Sequence, residues 1–399
     1  MQLQDVYLFQ DRSGFVRGDL TMEDGRIKEV HLTGGAPNRE CPAPVRPDRD
    51  NNCLLPDPDG TYVLPGLVDI HTHGNSGCDF SDGDPDGLRV MAEYYGRRGI
   101  TSFLPTSMTL PYEVLERAFR TAAEYLAAYE KDPSLAASGA AAVSGIHMEG
   151  PFLASAKSGA QNAAYLQRPD CAAFQKLQDA CGGLIRIVDI APELEGAMDF
   201  VRQASWTCRV SIAHTDASYE ETAAVLDAGA SHMTHLFNAM PWIHHRRPGV
   251  IGAAFERSHV TAELICDGIH IHPAIVRMAF QLFPGRICLV SDSLRCCGMP
   301  EGEYELGGQK VVLRDRAARL PDGTLAGAAS DLFEDMCNAI RFGIPYQEAI
   351  LAATMNPARV IGAEEEIGSI APGKRADLVV CDSSLRRKEV YIRGRRVRA

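Results

Sequence analysis

The sequence predicts an α/β protein: a (β/α)8 barrel with a small β-sandwich domain built from both chain ends. Three observations carry the prediction. Short apolar runs alternate with helix-spaced segments from about residue 62 to residue 365. Both ends instead alternate apolar and polar residues between turn signals. Polar residues recur where the apolar runs stop, which is where barrel enzymes carry their chemistry.

Taken in order, residues 1–60 contain segments such as MEDGRIKEV and DPDGTYV, which suit short antiparallel strands. The barrel-strand candidates are Tyr62–Ile70, Thr101–Pro105, Ala142–Met148, Ile185–Ile190, Arg209–Ala213, His232–Leu236, Thr261–Cys266 and Ile287–Ser291. Segments such as PYEVLERAFRTAAEYLAAYEK and SYEETAAVLDAGA between them have helical spacing. A doubly wound sheet is the alternative, but no G-x-G-x-x-G follows the first strand. A β-like stretch, QKVVLRDRAARLPDGTL, interrupts the last βα unit and is expected to form a flap over the catalytic face. From residue 367 the pattern returns to short strands. Neither end can build a good core alone. Residues 1–60 plus 367–399 are therefore expected to form one small domain, with the barrel spanning 61–366.

The net charge of −12 argues against nucleic acid or anionic membranes as partners. An anionic substrate would need a locally basic pocket. The opening MQLQDVYLF lacks the basic and apolar regions of a secretory signal, and no run of about 18 apolar residues exists. None of the 12 cysteines sits in a C-x-x-C motif, so reduced thiols in a cytoplasmic protein are expected. The adjacent Cys296 and Cys297 read as incidental.

His71 and His73 close the first strand in VDIHTHG, and a period of two points both imidazoles to one side. Glu149 follows the third strand in GIHMEGPF, where a buried carboxylate is costly unless paired or metal-bound. His214 ends the fifth strand in SIAHTDA, His235 the sixth in HMTHLFNAM, and Asp292 the eighth in CLVSDSL. Any one of these alone reads as structural. Together they put four histidines, a glutamate and an aspartate on one rim, a donor set suited to zinc or iron.

The segments HTHG, HMEGPF, AHTDA, THLFNAM, DGIHIHP and LVSDSL resemble those of the N-acetylglucosamine-6-phosphate deacetylase family of the amidohydrolase superfamily. The resemblance covers nearly the whole chain. It implies Glu149, His214 and His235 as main metal ligands, with Asp292 as catalytic acid/base. His71 and His73 match a first-strand pair that allows a second metal bridged by Glu149, giving one or two divalent ions per subunit. Asn238, Ala239, Arg246 and His270 are implied to contact the substrate, chiefly its phosphate. Ala160 with Gln161, and Leu325, Ala326 and Gly327 near the flap, match further substrate contacts. Gln161 stands where some members of the family have histidine, and either it or His270 could polarise the amide carbonyl. A homodimer is also implied, with the neighbour contributing to the phosphate site. Lys157 is too far past the strand end to bridge metals as in hydantoinases and dihydroorotases, and His272 and the His244–His245 pair read as rim or surface residues. The alternatives are a dihydroorotase- or dipeptidase-like specificity, or a silent phosphosugar-binding protein. The lack of a strand-end lysine and the THLFNAMP segment speak against the first, and an intact Asp292 with a complete ligand set against the second.

Overall fold

The computed structural model describes residues 1–34, 55–132, 134–135 and 138–397; residues 35–54 of the expected end domain lie outside the described residues. Eight parallel strands follow one another in chain order: Leu67–Thr72, Ile100–Ser107, Ile146–Met148, Ile185–Ile190, Arg209–Ile212, His232–Met233, Thr261–Ile265 and Ile287–Val290. They are called the first to eighth barrel strands below. Between the eighth and the first the barrel closes through a bond in which Asp292 N–H donates to the His71 carbonyl at 2.9 Å. Ser291 adds to the seam by donating its hydroxyl to buried Asp69 at 2.6 Å.

The expected strand Tyr62–Ile70 is two strands. Tyr62–Pro65 lies in the end domain, and the barrel begins at Leu67. The break is at Gly66, whose N–H donates to the Asp377 carbonyl. A Cβ there would come within 2.1 Å of Thr101 Oγ1, so only glycine allows the crossing from one sheet to the other. Ala142–Met148 is likewise interrupted, into Ala142–Val143 and Ile146–Met148.

The chain ends meet in one seven-stranded sheet. Tyr62–Pro65 pairs with both Gln2–Gln10 from one end and Leu378–Cys381 from the other. Val6, Leu8, Leu20, Val63, Leu378 and Tyr391 pack into its apolar face. The flap is a four-stranded antiparallel sheet of Gly302–Leu306, Gln309–Arg314, Ala317–Arg319 and Leu325–Ala328, set between the eighth barrel strand and the helix Leu332–Arg341. The ten cysteines among the described residues are all free. No helix among the described residues is long and apolar enough to cross a membrane.

Candidate active site

The barrel strands end in residues with unusual backbones. His214, His235 and Asp292 each stand two positions past a strand end, with φ of 42°, 29° and 49°. A side chain in this left-handed region costs about 1–3 kcal/mol and persists only where the surroundings enforce it. These three residues, past the fifth, sixth and eighth strands, turn their side chains into one barrel mouth. Glu149 is followed by Gly150 at φ 82°, where a Cβ would lie 2.1 Å from Thr109 Oγ1.

The side chains converge. Glu149 Oε1 lies 2.9 Å from His214 Nε2 and 3.0 Å from His235 Nε2, and those two nitrogens are 3.1 Å apart. Glu149 Oε2 faces the other pair, 3.2 Å from His73 Nε2 and 3.6 Å from His71 Nε2. Asp292 Oδ1 completes that side at 3.2 Å from His73 Nε2 and 3.5 Å from His71 Nε2. All six residues are buried.

The opposite ring nitrogens fix the tautomers. His214 Nδ1 donates to the Lys157 carbonyl at 2.8 Å, His73 Nδ1 to the Thr106 carbonyl at 3.1 Å, and His71 Nδ1 to Glu263 Oε2 at 2.8 Å. With Nδ1 engaged in each ring, Nε2 is the nitrogen turned to the common centre. His71 Nε2 is buried there without a hydrogen-bond partner. Two adjacent donor groups face this centre, one of Glu149, His214 and His235 and one of His71, His73 and Asp292, and a third, His71 with His147 and Glu263, lies behind them. Imidazole nitrogens and carboxylate oxygens so arranged fit a divalent metal site.

Electrostatics agree with that donor set. Burial disfavours ionised Glu149, but the imidazoles of His71, His214 and His235 outweigh it and hold the carboxyl well below the usual range. Burial disfavours charged His73 too, yet Asp292 and Glu149 push it up to about 10. Asp292 is kept ionised against burial by His71 and His73. A cluster that draws protons this strongly offers the same electron pairs to a cation.

A cavity of about 360 Å³ opens onto the cluster. Of the residues expected to touch substrate, Ala160, Gln161, Asn238, Ala239, His270, Leu325, Ala326 and Gly327 line it. Arg246 does not; it is exposed on the 241–248 segment beside exposed Trp242. A wider hollow of about 880 Å³ in the end domain, beside Met22 and Arg393, contains none of the expected residues. Gln161 donates Nε2 to Glu149 Oε2 at 2.8 Å, and its Oε1 accepts from Thr109 N–H at 2.7 Å. It therefore braces Glu149. Lys157 also lines the cavity, its amine paired with Asp216 at 3.4 Å. His272 caps a helix by accepting from Ala274 N–H.

Sequence reasoning missed two supports. Asp267 accepts His270 Nδ1–H at 2.7 Å and also the backbone N–H groups of Ile269 and His270, which leaves His270 Nε2 for the cavity. Burial lowers the His270 pKa, and the Asp267 carboxylate overrides this and raises it. Glu263, inside the seventh strand, is the second. Its signal was present, since a lone carboxylate in the apolar run TAELIC is costly without partners.

A barrel with this donor set at its C-terminal mouth defines a class of hydrolases. The chain belongs to the amidohydrolase family, whose sequence profile matches residues 62–397. Within that family it is 36% identical to the N-acetylglucosamine-6-phosphate deacetylase of Bacillus subtilis, over 96% of this chain and 93% of the relative. It is 33% identical to the N-acetylgalactosamine-6-phosphate deacetylase of Escherichia coli O157:H7, over 84% of this chain and 88% of that one. The N-acetyl-D-glucosamine-6-phosphate deacetylase of Mycobacterium smegmatis, solved in complex with N-acetyl-D-glucosamine-6-phosphate, superposes with a TM-score of 0.87 at 31% identity, covering 100% of this chain and 99% of that one.

Proposed function

We propose that the chain hydrolyses the acetamide of N-acetyl-D-glucosamine 6-phosphate to D-glucosamine 6-phosphate and acetate, in the cytoplasm. One observation carries the reading. Glu149, His73, His214, His235 and Asp292, with His71 behind them, form the floor of a cavity lined by eight of the nine residues expected to contact a phosphosugar, Arg246 being the exception. The relatives named above support the substrate class.

Glu149, His214 and His235 would hold one divalent ion, zinc or iron. Glu149 Oε2, which faces His73 and His71, would take part with them in holding a second ion. When bound, the ion supplies Lewis acidity and brings the pKa of water toward neutrality. Asp292, ionised at neutral pH, takes the proton of the attacking water on its carboxylate and returns it to the departing amine nitrogen. His270 presents Nε2 to the substrate, and its raised pKa favours the donor form. Asn238 and His270 anchor the phosphate end, so that binding far from the amide positions the carbonyl carbon. In a homodimer the exposed Arg246 would complete the phosphate anchor from the neighbouring chain.

Acetate release from the 6-phosphates of N-acetylglucosamine and N-acetylgalactosamine, measured side by side, tests the reading. Preferred turnover of the glucosamine compound is expected. Release from neither would defeat the proposal.

A further inference from the structure

The metal ligands stand on a buried support that the reaction itself does not use. Glu263 is fully buried on the seventh barrel strand, beneath the cluster. Its Oε2 accepts from His71 Nδ1 at 2.8 Å and from the backbone N–H of His235 at 3.1 Å. Its own carbonyl accepts from Leu236 N–H at 2.9 Å, so strand seven grips the chain on both sides of the left-handed residue His235. Its Oε1 turns away and accepts from His232 Nε2 at 3.2 Å. One carboxylate thus fixes a ring from the first strand and a backbone from the sixth, and these belong to the two different donor groups.

We infer that Glu263 is a positioning residue for the metal centre, joining the two halves of the cluster through His71 and His235. The inference rests on the proposed reading that those residues hold metal. Two physical arguments carry it. A ligating imidazole needs its far N–H bonded to keep the ring oriented and the near nitrogen basic, and a carboxylate does both. The left-handed turn at His235 needs an enforcing partner, and the bond from its N–H to Glu263 is one. Of the other fully buried carboxylates on the barrel strands, Asp189 serves His147 and Thr234, and Asp69 serves Ser291 and the His71 backbone N–H; neither bonds an imidazole that faces the cavity.

The experiment compares Glu263→Gln, Glu263→Ala and His232→Gln with the unaltered enzyme. Zinc retention is followed by competition with a chelator, beside kcat, KM and thermal midpoint. Loss of a carboxylate that orients a ligand typically weakens metal binding ~10–100-fold. About tenfold is expected for Glu263→Gln, which keeps the shape, and the upper end for Glu263→Ala. In both, kcat should fall with KM nearly unchanged, because Glu263 lies off the cavity wall. His232→Gln loosens the far side of the same carboxylate, so it should lower the thermal midpoint while zinc retention stays near normal. Glu263→Gln that loses thermal stability but holds zinc like the unaltered enzyme would make Glu263 structural only and overturn the inference; this arm decides even if Glu263→Ala fails to fold. If the unaltered enzyme held no metal, the reading beneath the inference would fail instead, and that shows before any variant is compared.

Discussion

The floor and the walls of the cavity are built on opposite principles. On the floor, each of the four imidazoles stands at the end of a barrel strand, and three have their far ring nitrogen engaged: His71 by a carboxylate, and His73 and His214 by backbone carbonyls. The walls come from loops and the flap, over more than 160 residues of chain between Ala160 and Gly327. Gln309 Nε2 donating to the Ala160 carbonyl at 2.7 Å is one bond tying flap to loop. The contrast separates two tasks. Chemistry needs donors fixed to a fraction of an ångström, so it sits on the barrel; recognition needs a surface that can vary, so it sits on loops.

If this division holds, changes to the floor should abolish turnover and changes to the walls should tune binding. The largest effect is expected from His214→Ala, which removes a ligand and should take metal and nearly all activity together; full activity in the metal-free protein would break the floor's assigned role. Next comes Asp292→Asn. Losing a general acid/base costs roughly 10²–10⁴ in rate, and one group serving both steps points to the upper end. Metal content should stay, and a near-normal kcat would remove Asp292 from proton transfer.

The walls should respond more gently. His270 holds its second proton to higher pH because Asp267 faces it, so anchoring weakens as pH rises through that pKa and KM should climb on the alkaline side. Asp267→Asn removes the carboxylate and lowers the His270 pKa, so the climb should begin at lower pH. An unmoved KM profile would mean that His270 does not anchor substrate as a cation. The smallest effect belongs to Gln309→Ala. Losing the flap-to-loop bond should raise KM about two- to tenfold, the worth of one ordinary hydrogen bond, with kcat and metal content unchanged. A change in metal content there would blur the boundary between floor and walls.

What could be read from the sequence follows the same line. His71, His73, Glu149, His214, His235 and Asp292 were legible because each breaks an apolar run at its end, and the barrel brings strand ends together whatever the loops do. Glu263 is a lone carboxylate within, not at the end of, a run that reads as a strand, so its signal is weaker than that of a residue closing one. The inward direction of its side chain depends on register, which composition does not reveal. Gln161 lines the cavity, and its amide also bonds Glu149 and Thr109, contacts between stretches far apart in the sequence that no local pattern reveals. Arg246 was named through resemblance, and its exposure outside the cavity reflects a loop whose course no strand pattern fixes. The Gly66 break escaped notice because both halves of Tyr62–Ile70 are equally apolar.

The left-handed backbones of His214, His235 and Asp292 set stability against activity. Glycine takes that conformation without the cost that other residues carry. A library selected only for resistance to heat, without metal and without a demand for turnover, should therefore drift toward glycine or asparagine at these three positions. The chain would become sturdier and inert at once. Selection in living cells has to work against that drift, so the strain at the barrel mouth marks the stability this fold gives up to remain an enzyme.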